Sequence, residues 1–329
     1  MKYTNYTQYK EYGLTLVELM ISMALGLLVI LIATTLLLSS KTAYATQDDA
    51  TRLQDSGRFA IESIARAARQ SSYENWDRED APITASATLS ANIVGLDSAS
   101  LKETPYGIES PLSASINGSD VLALRFFGSG TGERGDGTMV NCAGFSVPAP
   151  TSQEEAEQQR GWSIFYVAQS NGEPELRCKY QGKDKSKWNS DAISSGVESF
   201  QVLFGIDTNG DSLPNQFITA SAVNALDDAL VVQGANTDER TKDKNKKTNW
   251  KKVVAIKIAL LMRGSQPTRN DALKTQYDLF GKEYSDKQGE HDKGTRIKET
   301  QVPIASRNRL RKIFTMTITL RNQSAGSQS

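Results

Sequence analysis

The chain has 329 residues, and its 38 lysines and arginines balance 38 aspartates and glutamates. Zero net charge removes any global bias toward nucleic acid, and a single histidine, His291, excludes a His-rich metal cluster and argues against a Ser-His-Asp triad. The two cysteines, Cys142 and Cys178, suit either one disulfide in an oxidising compartment or two free thiols.

A short polar leader ends at Gly13. An apolar run of about 25 residues, Leu14 to Leu38, follows and is long enough to span a bilayer as a helix. Glu18 is its one charge, and a carboxylate at that depth costs a few kcal/mol in lipid unless something pairs with it. Cutting after Gly13 would free a cationic amine on Leu14, a partner for the Glu18 carboxylate of a neighbouring copy or related subunit. An ordinary signal anchor with a stray glutamate is the other reading. A secretory signal peptide fits badly, because the run is too long for an h-region and no small-x-small site follows directly. Lys2 and Lys10 before the span, partly offset by Glu11, place the N-terminus in the cytoplasm by a small margin.

The helix is expected to continue from Thr42 to about Ser71, where no proline intervenes and only Gly57 is a weak helix former. Leu53, Ala60, Ile61, Ile64, Ala65 and Ala68 recur at three- and four-residue steps as an apolar stripe. Asp55 with Arg58, and Glu62 with Arg66, are placed to pair on the outer face. The remainder reads as strands between turn-rich loops. Val121–Phe127 and Ser163–Val167 come first. Glu175–Tyr180 forms a hairpin with Ser163–Val167 about Asn171-Gly172, through a loop longer than the tight two-residue kind. Val197–Ile206, the apolar Val253–Met262, and the alternating Phe314, Met316, Ile318 and Leu320 complete the set. Three insertions, Gly128–Thr138, Pro148–Arg160 and Ser265–Pro303, read as exposed loops. The fold class is therefore α+β, a long N-terminal α-helix with a membrane-spanning first half and a second half packed on an antiparallel β-sheet. The expected division is leader 1–13, transmembrane segment 14–40, amphipathic continuation 41–72 and β-rich globular domain 73–329.

Gly13, Leu14-Thr15-Leu16-Val17, Glu18 and the apolar helix behind them resemble the class III signal of type IV pilins and pseudopilins. The resemblance implies cleavage by prepilin peptidase between Gly13 and Leu14, then N-methylation of Leu14. Further blocks resemble PilW-type minor pilins: Arg52-Leu53-Gln54-Asp55-Ser56-Gly57-Arg58-Phe59-Ala60, Ser119–Leu122, Val197–Asp211, Trp250–Arg263 and Arg311–Asn322. That resemblance implies a type IV pilin-like fold and a subunit stored as a single-pass inner-membrane protein. It also implies action with other minor and major pilins and the inner-membrane assembly platform in starting a surface pilus, at or near its tip. Leu14 stands where phenylalanine is commoner, and the helix lacks the mid-span proline of major pilins.

Glu18 is the first candidate site, for subunit registry, against a carboxylate that merely snorkels to the interface. Asp207, Asn209 and Asp211 alternate as in a calcium loop, against a polar turn. The EF-hand pattern then fails, with Ser212 in place of glycine and Ile218 in place of the bidentate glutamate. Lys242–Lys252 around Trp250 reads as a solvated loop leading into a strand, with Trp250 over the sheet edge, against contact with nucleic acid. His291 reads as a solvated loop residue. A bridge between Cys142 and Cys178 would close a loop of about 36 residues, for roughly 3–4 kcal/mol. No nucleophile–base–orienter set is visible, so the reading is non-enzymatic, with no cofactor beyond calcium. A type II secretion pseudopilin of the J kind remains an alternative, as does a tip adhesin or DNA-uptake module using the large loops.

Overall fold

The computed structural model describes residues 13–71, 86–133, 135–182, 187–269 and 275–320. They fall into two compact units divided between Asp48 and Asp49. The first helix, α1 (Leu16–Gln70), runs through that division. In the first unit every residue from Gly13 to Ala45 is exposed, and the helix there is long and apolar enough to cross a membrane. Its hydroxyls turn back on its own carbonyls: Ser22 donates to Leu19 O at 2.8 Å, Thr35 to Ile32 O at 2.8 Å and Thr42 to Leu38 O at 2.9 Å. Such bonds satisfy these hydroxyl donors within the helix, where lipid would offer them no partner.

In the second unit the elements after α1 are β1 (Ile93–Leu96), β2 (Val121–Phe126), α2 (Ala156–Gln159), β3 (Gly161–Ser170), β4 (Glu173–Gln181), β5 (Trp188–Ser195), β6 (Val197–Ile206) and β7 (Gln216–Ile218). There follow α3 (Ala220–Asp228), α4 (Thr237–Lys247), β8 (Val253–Arg263), β9 (Gln276–Asp278), α5 (Lys282–Gln288), β10 (Arg296–Lys298) and β11 (Arg311–Thr319). The expected single sheet is two. One is five-stranded in the order β1-β2-β3-β4-β5, the other four-stranded in the order β11-β8-β6-β7, and every pairing is antiparallel. β9 and β10 form a separate two-stranded ladder.

The stripe on α1 faces the main core. Leu53, Ala60, Ile61, Ile64, Ala65 and Ala68 are buried with Leu122, Leu124, Phe165 and Leu176 of the first sheet and Phe200, Ile256, Ile258, Leu260 and Phe314 of the second. Burying a side chain the size of Ile64 stabilises by roughly 1.5–3 kcal/mol. On the outer face α1 pairs Glu62 with Arg69 at 3.1 Å, not with Arg66. The helix ends where Ser71 Oγ donates to Ala68 O at 2.7 Å, satisfying one of its last carbonyls.

The strands read according to what covers them. β8 is apolar from Val253 to Met262 apart from Lys257 because both faces are covered. Ile256, Ile258, Leu260 and Met262 join the main core, while Ala259 and Leu261 pack with Leu279, Ile297 and Val302 from the β9–β10 insert. β11 sits at the sheet edge with one covered face, so buried Phe314 and Ile318 alternate with exposed Thr315, Thr317 and Thr319.

Several expectations need correcting. The β3–β4 loop is the tight two-residue kind: Ser170 pairs with Glu173, leaving only Asn171 (φ 51°) and Gly172 (φ 81°). Two positive φ values make a type I′ turn, for which Asn-Gly is the preferred pair. The Pro148–Arg160 insertion is not merely an exposed loop, since it holds α2 with Ala156 buried, and Arg160 is among the largest fully buried side chains. Ser265–Pro303 carries β9, α5 and β10 and closes over β8. In Gly128–Thr138, Ser129 is buried and donates to Asp136 Oδ2 at 2.7 Å.

Buried charge ties the two sheets and the insert together. The side chain of Arg311 is fully covered; its Nε donates to Glu198 Oε2 at 2.6 Å and its guanidinium lies 3.7 Å from Glu299. Arg263 bridges Glu198 at 3.2 Å and Glu173 at 2.5 Å, and Arg269 pairs with Glu299.

Candidate functional site

Gly13 and Leu14 are exposed just before α1, while residues 1–12 of the expected leader lie outside the described residues. Thr15 is the residue before the first helical turn. Its N–H donates to Glu18 Oε2 at 2.8 Å, its hydroxyl donates to the same oxygen at 2.8 Å, and Glu18 N–H reaches Thr15 Oγ1 at 3.3 Å. This is a capping box, in which a threonine and a glutamate three residues on satisfy each other's orphan donors. A carboxylate at a helix N-terminus is also favoured by the aligned peptide dipoles. The one charge of the apolar segment is thus held by its own helix end through Oε2. Among the described residues Oε1 accepts no hydrogen bond and remains available to a second donor. The reading of the sequence above did not single out Thr15, although the Thr-x-x-Glu spacing just before an apolar run is a legible signal.

Cys142 and Cys178 form a disulfide with Cα atoms 5.9 Å apart. It joins a short ladder, Val140 opposite Ser146, to β4. Gln70 Nε2, in the last turn of α1, donates to Val140 O at 2.7 Å, so the bridged loop also holds the helix end.

Asp207, Asn209 and Asp211 lie together in the exposed loop after β6. Asp207 Oδ1 accepts from the N–H groups of Asn209 (3.0 Å) and Gly210 (2.6 Å), and Oδ2 from Ser212 N–H at 2.8 Å. Asp211 Oδ1 accepts from Leu213 N–H at 2.8 Å, and Oδ2 from the Asn209 side-chain amide at 3.0 Å. Desolvation works against ionisation of Asp207, but the backbone donors outweigh it and hold the carboxyl below its ordinary range. These bonds have the geometry of a polar turn. A calcium ion would have to compete with them, and calorimetric titration with millimolar calcium decides between turn and cation loop.

The lysine-rich stretch is not the expected loop. Residues Thr237–Lys247 form α4, capped by Asn236, whose Oδ1 accepts from Glu239 N–H at 2.9 Å. Acidic residues in its first turn and lysines in its last suit the helix dipole, and Lys242–Asp238 and Lys247–Asp243 pair one turn apart. Trp250 does not cover a sheet edge. It is buried in the main core, edge-on to Phe204 with ring centroids 4.8 Å apart, and its Nε1 donates to Asn224 Oδ1 at 2.9 Å. A stacking role for Trp250 on a base is therefore ruled out by burial. His291 is exposed in the turn after α5.

Residues 9–34 match the family model "Prokaryotic N-terminal methylation motif", spanning Gly13, Leu14 and Glu18, and residues 164–322 match "Type IV Pilus-assembly protein W". Residues 164–322 are a PilW-type pilin segment behind an N-terminal methylation motif. The PilW match begins inside β3 and runs through β11, so it takes in the whole four-stranded sheet and the β9–β10 insert. A type IV-like pilin from Thermus thermophilus matches with 13% identity and a TM-score of 0.35 over 83% of this chain and 98% of its own, a likeness too loose to add to the assignment. No curated protein matches. The methylation motif and the apolar helix fit a membrane-anchored pilin.

Proposed function

We propose that this chain is a structural, non-enzymatic subunit that helps initiate and assemble type IV pili, at or near the fibre tip. Prepilin peptidase cuts between Gly13 and Leu14, and the new amine is methylated. The mature helix leaves the bilayer through the inner-membrane assembly platform and packs against other minor and major pilins. The observation that carries this reading is Glu18: it is the one charge in an exposed apolar helix, one turn beyond Gly13, with one oxygen bound by Thr15 and the other available. A neighbour's Leu14 amine supplies the missing partner. Desolvation cancels much of the attraction between two such charges, so the pair sets axial register more than it adds stability. The PilW match supports a pilus over a secretion pseudopilus.

Replacing Glu18 with alanine tests this, with processing and piliation measured separately. Normal cleavage with lost or reduced piliation is the expected result. Normal piliation would overturn the registry role.

A further inference from the structure

Three carboxylates converge in the second unit, on the seam where the two sheets and the insert meet. Asp97, just after β1, accepts from the N–H groups of Ala220 at 3.0 Å and Ser221 at 2.7 Å, at the start of α3. Asp120, buried just before β2, accepts from Ser98 N–H at 3.0 Å and from Val202 N–H of β6 at 2.9 Å. Asp292, buried after α5, accepts from the Tyr284 hydroxyl at 2.8 Å. The backbones that carry them touch. A Cβ on Gly118 would lie 2.7 Å from the Lys293 carbonyl carbon, and one on Gly294 would lie 2.4 Å from Asn117 O. Gln201 Nε2 of β6 donates to Gly118 O at 2.8 Å, and Ser199 Oγ donates to Gly294 O at 3.2 Å.

Acid faces acid here. The groups that act on Asp292 are Tyr284 from α5 and Asp97 from the end of β1, and Asp120 feels both Asp97 and Asp292. Lys293 and His291, beside Asp292 in the chain, are exposed. Burial pushes the Asp292 carboxyl up to about 6, the Tyr284 hydrogen bond pulls against it, and the Asp97 charge adds to the rise. Burial, then the charges of Asp97 and Asp292, push Asp120 well above the usual carboxylate range against its two backbone donors.

We propose that this cluster is an acid-set clasp: with a proton on it, it fastens the α5–β10 segment to the seam between the sheets, and when Asp120 and Asp292 both lose their protons the repulsion among the carboxylates loosens that segment. The folded chain then holds a proton that the unfolded chain releases. The clasp is fully set below the ordinary aspartate range and is lost as pH rises through about 6. The surface that the insert presents thus depends on the acidity of the medium.

Hydrogen exchange on the full-length protein in detergent, with a chelator present, tests the clasp. Protection of residues 282–298 is measured relative to β6 and β8, near pH 5 and near pH 8, and corrected for intrinsic exchange. The relative protection should fall by about tenfold between the two conditions. Asp292→Asn should keep the acid level of protection near pH 8. Tyr284→Phe, which removes the bond to the ionised carboxylate, should move the wild-type transition to higher pH and serves if Asp292→Asn does not fold. A wild-type ratio that ignores pH, or either variant following the wild-type profile, overturns the proposal.

Discussion

The Phe314 ring of β11 occupies the space where a side chain on Gly57 of α1 would begin: a Cβ built on Gly57 would lie 2.2 Å from Phe314 Cζ. On propensity alone Gly57→Ala should stabilise a helix interior by about 1 kcal/mol. The overlap reverses the sign, because displacing a packed ring costs roughly 1–3 kcal/mol. Gly57→Ala should therefore lower the denaturation midpoint, and Gly57→Ala with Phe314→Leu should recover part of the loss. Urea unfolding of the three proteins checks this.

Removing the disulfide should destabilise the second unit. Cys142 and Cys178 are separated by 36 positions, and closing a loop of that size is worth roughly 3–4 kcal/mol in the chain-entropy account. Cys142→Ser with Cys178→Ser should show that loss in denaturant, and reductant should reproduce it in the wild type but leave the variant unchanged.

Arg311 joins β11 to Glu198 of β6 and to Glu299 beyond β10. Arg311→Met leaves two buried carboxylates without it and should cost about 3–5 kcal/mol. Adding Glu198→Gln should restore part of that, which a double-mutant cycle measures.

Lys179 is fully buried, with Nζ donating to Lys102 O at 3.0 Å and lying 5.3 Å from the Trp188 ring centroid. Burial pushes its amine down to about 8, with the Glu103 charge pulling the other way. Burial, then the Arg160 charge, does the same to Lys251, against Glu157. The folded chain sheds these protons before the unfolded chain does, so stability should rise as pH climbs from about 8 toward the ordinary lysine range. Lys179→Met should reduce that rise, and Lys251 should preserve the remainder. Thermal unfolding across pH reads both.

The elements legible in the sequence are those whose residues report their surroundings directly. The Phe314–Leu320 alternation marks an edge strand with one covered face, and the α1 stripe marks a helix with one buried side. The Gly13–Leu14 signal and Glu18 stand out because charge in an apolar span is costly. What escaped depends on long-range partners. The polar ends of β3 and β4 pair across Asn171-Gly172 only because the inner strands fix their register, which shortened the loop from the one expected. The strand β5, from Trp188 to Ser195, lacks clean alternation and is set by its pairing with β4 across a register shift at Leu176/Arg177. Lys242–Lys247 gives no apolar period, and α4 is held by its Asn236 cap and one-turn ion pairs. The split into two sheets rests on which faces α1 and the β9–β10 insert cover, and local sequence carries no trace of that.

Mass spectrometry of the mature N-terminus, on protein isolated from cells that assemble the fibre, tests the central claim most directly. The account predicts a first residue of N-methylated Leu14, with residues 1–13 gone. Functional protein that still begins at Met1 would contradict it.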